Sequence, residues 1–140
     1  ATPTPSPTSG GALDRSGWQV SASSSSDSDV PANAIDGDPG TRWSTGASQT
    51  NGQWFQIDLG STQSFNKIVL DATNSSNDYP ASYEVDVSND GSNWSSVATG
   101  NGSTVTTITF GTQSARYIKI VQTGSSSWWW SIHELNVYAP

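Results

Sequence analysis

The sequence predicts an all-β domain, a two-sheet sandwich or jelly roll, and three observations carry that prediction. Short segments rich in β-branched and aromatic residues follow one another, each bounded by glycine, asparagine, serine or aspartate. No apolar stripe with the period of a helix runs for a useful length. There are eight such segments, and a single sheet that wide would leave one face wet, so they must fold into two packed layers.

The elements follow in order. The opening ATPTPSPTSGG, residues 1–11, alternates proline with threonine and serine, which favours an extended polyproline conformation and removes backbone donors. It reads as a linker, with residues 12–140 as the domain proper and a further, upstream domain expected. Strands are predicted at 18–23 (WQVSAS), 53–59 (QWFQIDL), 65–72 (FNKIVLDA) and 82–88 (SYEVDVS). The remaining four are 93–98 (NWSSVA), 104–110 (TVTTITF), 115–122 (ARYIKIVQ) and 131–138 (SIHELNVY). Asn89-Asp90-Gly91 is a turn, since glycine tolerates the positive φ such turns require. Residues 24–52 read as one long irregular stretch, and loops of that length are usually functional or pinned.

Composition narrows the function. The 140 residues suffice for one core and not for two. Five basic residues against a net charge of −7 leave little to neutralise a phosphate backbone, so neither nucleic acid nor an anionic membrane is an expected partner. No stretch approaches the length of a membrane span, and no signal peptide is recognisable, so the chain reads as a soluble, processed piece. Without cysteine, the redox compartment is not legible.

Within the long stretch, Asn33-Ala34-Ile35-Asp36-Gly37-Asp38-Pro39-Gly40-Thr41-Arg42-Trp43 gathers two carboxylates, a hydroxyl and a bent backbone. A hard cation such as Ca²⁺ takes 6 to 8 oxygens from such sources. A plain surface turn, with Asp36 accepting backbone N–H bonds and Asp38 solvated, fits the spacing at least as well.

The ordered blocks AIDGDPGTRW, QWFQIDLG, FNKIVL, YPASYEVDVSNDGSNW, ARYIKI and SIHELNVY span nearly the whole chain outside the linker. Together they resemble the discoidin, or coagulation factor 5/8 type C, domain superfamily, and within it carbohydrate-binding modules of the family 32 type. The resemblance implies an eight-stranded jelly-roll β-sandwich with a structural calcium tying the early loop to the last strand. Carried over by position, its ligands would be the carbonyls of Asn33 and Asp38, the Asp36 carboxylate, the carbonyl and hydroxyl of Thr41, the His133 carbonyl and Glu134. The ring of His133, the only histidine, is then an ordinary surface side chain. A buried Glu134 between Ile132 and Leu135 would be an unpaired charge unless a cation met it.

The resemblance also places binding on loops at one end of the sandwich. Sugar recognition needs an aromatic face and nearby amides, hydroxyls or carboxylates. Three consecutive indoles, Trp128, Trp129 and Trp130, cannot all be buried by an extended segment, because successive side chains point opposite ways. Trp128 and Trp129, in a loop before the final strand, are the expected platform. Trp18, Trp43, Trp54, Trp94 and Trp130 are expected to pack. Asp71, Asn74, Asn77, Asp78 and Tyr79 would supply polar contacts, although Tyr79 suits packing as well. Ser44, Thr45 and Gln49 would line a third wall. The 71–79 loop carries neither arginine nor histidine, unlike galactose-binding relatives, whereas Asp71 and Asp78 would suit an amino sugar such as chitosan, the equatorial hydroxyls of a glucan, or simply solvent.

No nucleophile with a base and no open metal site is legible, which argues against an enzyme. The expectation is a secreted, extracellular, monomeric carbohydrate-binding module. It would be joined to a catalytic domain and bind an α- or β-1,3-glucan or chitosan. An adhesion or structural domain that grips a protein or lipid surface is the alternative. Phospholipid binders of this kind set basic residues beside apolar spikes, and these loops lack them.

Overall fold

The structure is a computed structural model that describes residues 11–140, so all of the 1–11 linker except Gly11 lies outside the described residues. Among the described residues eight strands form: β1 (Gln19–Ala22), β2 (Trp43–Gln49), β3 (Trp54–Asp71), β4 (Tyr83–Ser88), β5 (Ser95–Gly100), β6 (Val105–Gln122), β7 (Ser126–Ile132) and β8 (Glu134–Tyr138). One sheet runs β1-β3-β6-β4-β5, with β8 added to β3, and a separate ribbon pairs β2 with β7. The expected all-β sandwich is present, but its strands are divided differently.

Segments 53–59 and 65–72 are one strand, β3, and 104–110 and 115–122 are one strand, β6. Each bends midway from one layer into the other. The β3–β6 register shifts between Asp58 and Gln63, beside Gly60 at φ +86, where only glycine is unstrained and where an added Cβ would press on the Gly17 carbonyl. The first half of β3 pairs with β1 and the second half with β8, so two covalently continuous strands join both layers.

Alternation places the core. Phe55, Ile57 and Leu59 on β3 face Ile118 and Ile120 on β6 and Val85 and Val87 on β4, all buried. From the second layer come Phe65, Ile68, Leu70, Ile108, Leu135 and Val137. Trp43 on β2 and Trp130 on β7 meet edge to face at 4.9 Å, and Trp43 meets Phe55 at 5.0 Å, so these indoles seal one end of the sandwich. Trp18 is buried as expected, whereas Trp54 and Trp94 are half-buried on the outer side of the main sheet.

The long 24–52 stretch is not irregular throughout. It holds a 3₁₀ turn at Pro31–Ile35 and then β2, whose sequence WSTGASQ is too poor in apolar residues to announce a strand. β7 is likewise rich in serine, and each exists because the other supplies its backbone partners. The expected final strand 131–138 is broken at His133 into the end of β7 and β8.

Candidate functional site

At the end of the sandwich where β3, β5 and β6 finish and β4 and β7 begin lies a cleft of about 390 Å³. It is lined by Asn77, Tyr79, Ala81, Gly102, Ser125, Ser126 and Trp128. Trp128 is 53% exposed and forms one wall from β7, not from a loop, while its neighbour Trp130 is fully buried. Trp129 is 38% exposed and lies outside this cleft. Its ring centre is instead 5.7 Å from the Arg42 guanidinium carbon. Of the expected ligand residues, the cleft thus brings together Trp128, Asn77 and Tyr79.

The others sit elsewhere. Ser44, Thr45 and Gln49 are buried, so their side chains line no third wall. The Ser44 hydroxyl donates to Asp29 Oδ2 at 2.7 Å, and that of Thr45 donates to the Ala47 carbonyl at 2.7 Å. Gln49 Nε2 donates to the Tyr79 carbonyl at 2.8 Å and the Trp129 carbonyl at 3.2 Å, while its Oε1 accepts from Ala81 N at 2.9 Å. Gln49 Oε1 also accepts from the Gln122 amide, whose own Oε1 takes Gly124 N at 2.7 Å and Ser82 N at 3.3 Å. Two buried amides therefore fix the walls of the cleft from behind, because a buried amide left unbonded would cost about 1–3 kcal/mol.

Asp78 is buried and committed inward. Its Oδ2 accepts from Ser131 Oγ at 2.7 Å and from Arg42 Nη1 at 3.1 Å. Arg42 also donates to Asp29 at 3.0 Å and Ser75 at 3.0 Å, so one guanidinium holds the 24–30 segment, the 71–79 loop and β7 together. The Asp71 carboxylate caps its own loop by accepting from Thr73 N at 2.8 Å, and Asn74 donates to the Pro39 carbonyl at 2.8 Å. Neither lines the cleft, and among the described residues no charged side chain does.

The His133 ring is not a surface group. It is buried, with Nδ1 2.8 Å from the Pro39 carbonyl and Nε2 2.8 Å from Ser75 Oγ. A carbonyl only accepts, so Nδ1 carries the proton and Nε2 accepts from the serine in the neutral ring. The 71–79 loop lacks arginine and histidine in its own sequence, yet Arg42 and His133 both reach it from other elements.

The Asp36–Thr41 loop is closed by its own groups. Asp36 Oδ1 accepts from Asp38 N at 2.9 Å, Asp36 Oδ2 accepts from the Thr41 hydroxyl, and that hydroxyl lies 3.1 Å from the Asp38 carbonyl. Burial pushes the Asp36 carboxyl up, but the bonds from Thr41 and Asp38 N and the nearby Glu134 carboxyl outweigh it, and the net shift is downward. Glu134 ties this loop to the last strand through Gly37 N at 3.1 Å. Glu134 is not an unpaired charge awaiting a metal, for Arg15 Nη1 lies 2.8 Å from its Oε1 and also donates to the Leu135 carbonyl. The oxygens of Asp36, Asp38, Thr41 and Glu134 still suit a hard cation in kind. Among the described residues no three histidine, cysteine or acidic side chains gather at one point, so a cation here would lean on carbonyl and hydroxyl oxygens.

Sequence reasoning missed Gln122, Gly102 and Gly124. A Cβ at Gly102 would lie 2.1 Å from the Pro80 carbonyl, and one at Gly124 would lie 2.7 Å from Ser82 Oγ, so both glycines permit the close approaches that shape the cleft.

Fold and site define an all-β sandwich with a neutral, indole-walled cleft at its loop end. The chain belongs to the F5/8 type C domain family, whose model matches residues 19–135. It is similar to the family 32 carbohydrate-binding module of Clostridium perfringens NanJ in complex with galactose, with 31% identity and a TM-score of 0.81 over 91% of this chain and 97% of that one. It is also similar to chitosan-binding module 2 of a Paenibacillus sp. IK-5 chitosanase/glucanase in complex with chitotriose, at 30% identity and a TM-score of 0.75 over 87% and 96% of the two chains. Among curated proteins it is 33% identical to a galactose oxidase of Gibberella zeae over 92% of its own length, but spans only 21% of that relative.

Proposed function

We propose that this chain is a non-catalytic carbohydrate-binding module that holds a polysaccharide against Trp128. The observation that carries the reading is a half-exposed indole walling a cleft whose other groups are amides, hydroxyls and a tyrosine. The neutral lining favours a neutral sugar, with an α- or β-1,3-glucan ahead of chitosan, because Asp71 and Asp78 are committed elsewhere and offer no anion to an amino sugar. Galactose oxidase activity is no part of the proposal, since the matched region is a small share of that relative. A secreted, monomeric module covalently joined to a polysaccharide-degrading enzyme would raise the enzyme's local concentration on its substrate. A truncated AlyQ carrying a family 32 module and an alginate lyase domain, 28% identical over 93% of this chain and 33% of that one, offers a precedent for such an arrangement.

A structural Ca²⁺ belongs to the same proposal. Asn33, Asp38, Thr41 and His133 would give carbonyl oxygens, Thr41 its hydroxyl, and Asp36 and Glu134 their carboxylates. When bound, the ion supplies positive charge that cross-links the early loop to β8.

Co-sedimentation with insoluble 1,3-glucans, chitosan and anionic vesicles tests the binding claim. Retention on glucan, sharply weakened in Trp128→Ala with the melting temperature held within a degree or two, is expected. Retention on vesicles alone would favour an adhesion domain instead.

A further inference from the structure

We propose that the outer face of β1, β3 and β6 carries a second glycan contact, well away from the loop cleft. A cleft of about 240 Å³ is lined there by Gln19, Val20, Ser21, Gln56, Asp58 and Tyr117. The strand pairing builds it as two cross-strand rows. Gln19, Asp58 and Tyr117 lie opposite one another across three strands, and Ser21, Gln56 and Lys119 form the next row.

The chemistry is that of polyol recognition. The amides of Gln19 and Gln56 and the hydroxyls of Ser21 and Tyr117 line the cleft, and they offer both donors and acceptors to a ligand's hydroxyls. Asp58 is the one charged group among the described residues that lines the cleft, and Arg116 neutralises it through two bonds, at 2.9 and 3.2 Å. The site therefore suits a neutral sugar, and commits to a hexose unit of the polymer that the loop cleft takes. Tyr117 is held for the purpose: Gly91 abuts its ring, Trp94 meets it edge-on at 6.5 Å, and the Arg116 guanidinium carbon lies 5.2 Å from its centre. A sheet keeps such an array rigid, which lowers the entropy lost on binding.

Tyr117 lies five residues along β6 from Gln122 at the loop end, roughly 17 Å at strand rise, so one sugar cannot touch both clefts. Trp54, beside Lys119 on the same outer face, stands between them. A chain engaged at both would be bound bivalently, and the proposal rests on the carbohydrate-binding reading above.

The test is a titration of ¹⁵N-labelled protein with laminarihexaose, nigerotetraose and galactose, following side-chain amide and indole signals. Saturable shifts at Gln19 and Gln56 are expected with at least one of these sugars, and they should persist in Trp128→Ala. Gln56→Ala should abolish the Gln19 response, leave Asn77 and Trp128 responsive, and weaken retention on insoluble glucan about tenfold. Gln19→Ala, at an exposed position, serves as an independent variant with the same expectation at Gln56. Shifts confined to Asn77 and Trp128 would overturn the second contact and leave the loop cleft standing. An absence of shifts at both places would overturn both readings.

Discussion

Gln49 grips three cleft-forming segments at once, with its amide nitrogen on Tyr79 and Trp129 and its oxygen on Ala81 and Gln122. Gln49→Ala leaves two carbonyls, a backbone N–H and the Gln122 side-chain amide without their partner in a buried place, and should lower stability by about 2–4 kcal/mol. Thermal unfolding checks the loss, and glucan retention should fall with it because the cleft walls slacken. Gln49→Met keeps the volume and isolates the hydrogen bonds, so it should show most of the same loss. From sequence, Gln49 looks like a loop residue free to meet a ligand, since nothing local marks an amide whose partners lie 30 and 80 positions away. Trp128 was more legible. Three indoles in a row force at least one outward by strand geometry alone, but the choice of ring depends on Trp43, which receives Trp130.

At the scale of elements, β4 carries a strained charge. Asp86 faces outward opposite Lys119, yet its Oδ1 is buried without a partner among the described residues, and burial together with the neighbouring Glu84 pushes its carboxyl up to about 6. The folded state then binds more protons than the unfolded chain between the ordinary aspartate value and about 6. Stability from this group is accordingly present at low pH and lost as pH rises through that window. Asp86→Asn should therefore stabilise the domain at pH 7, by about 1 kcal/mol after solvent screening, and do little at pH 4. Denaturant titrations at the two pH values check it, and an equal effect at both would contradict the assignment. Asp58 works the other way, held low by Arg116, so stability from that pair is lost as pH falls below the usual carboxylate range. The runs of β-branched and aromatic residues made the segments of the main sheet legible, though β3 and β6 each read as two strands. They did not reveal β2, whose sequence WSTGASQ is poor in apolar residues and becomes a strand by pairing with β7, nor that the tryptophan run lies within β7 and not in a loop. Nor did they reveal that Gly60 is a bend inside one strand and not a break between two.

For the whole molecule, the decisive arrangement is a two-layer scaffold, stitched by the long strands β3 and β6, that presents its cleft at one end. The early loop is joined to the last strand through Glu134, which Arg15 and Gly37 N already hold. With calcium at a hundredfold excess over its dissociation constant, the proposed ion would add about 2.7 kcal/mol, so chelation should lower the melting temperature by several degrees. Arg15→Ala should make that dependence steeper, because Glu134 then loses its only nearby guanidinium partner among the described residues. No shift on chelation, with metal analysis finding no bound ion, would remove calcium from the account. The ordered blocks of sequence made the fold and the position of this loop readable. The Arg15 partnership was not readable, since a contact across 119 positions leaves no local pattern.

The central claim is that a sugar stacks on Trp128. Tryptophan fluorescence titrated with soluble laminarin measures this directly, because desolvating one half-exposed indole shifts its emission to the blue. A saturable blue shift that vanishes in Trp128→Ala and survives in Trp129→Ala is the predicted result. An identical titration curve for the wild type and Trp128→Ala would contradict it.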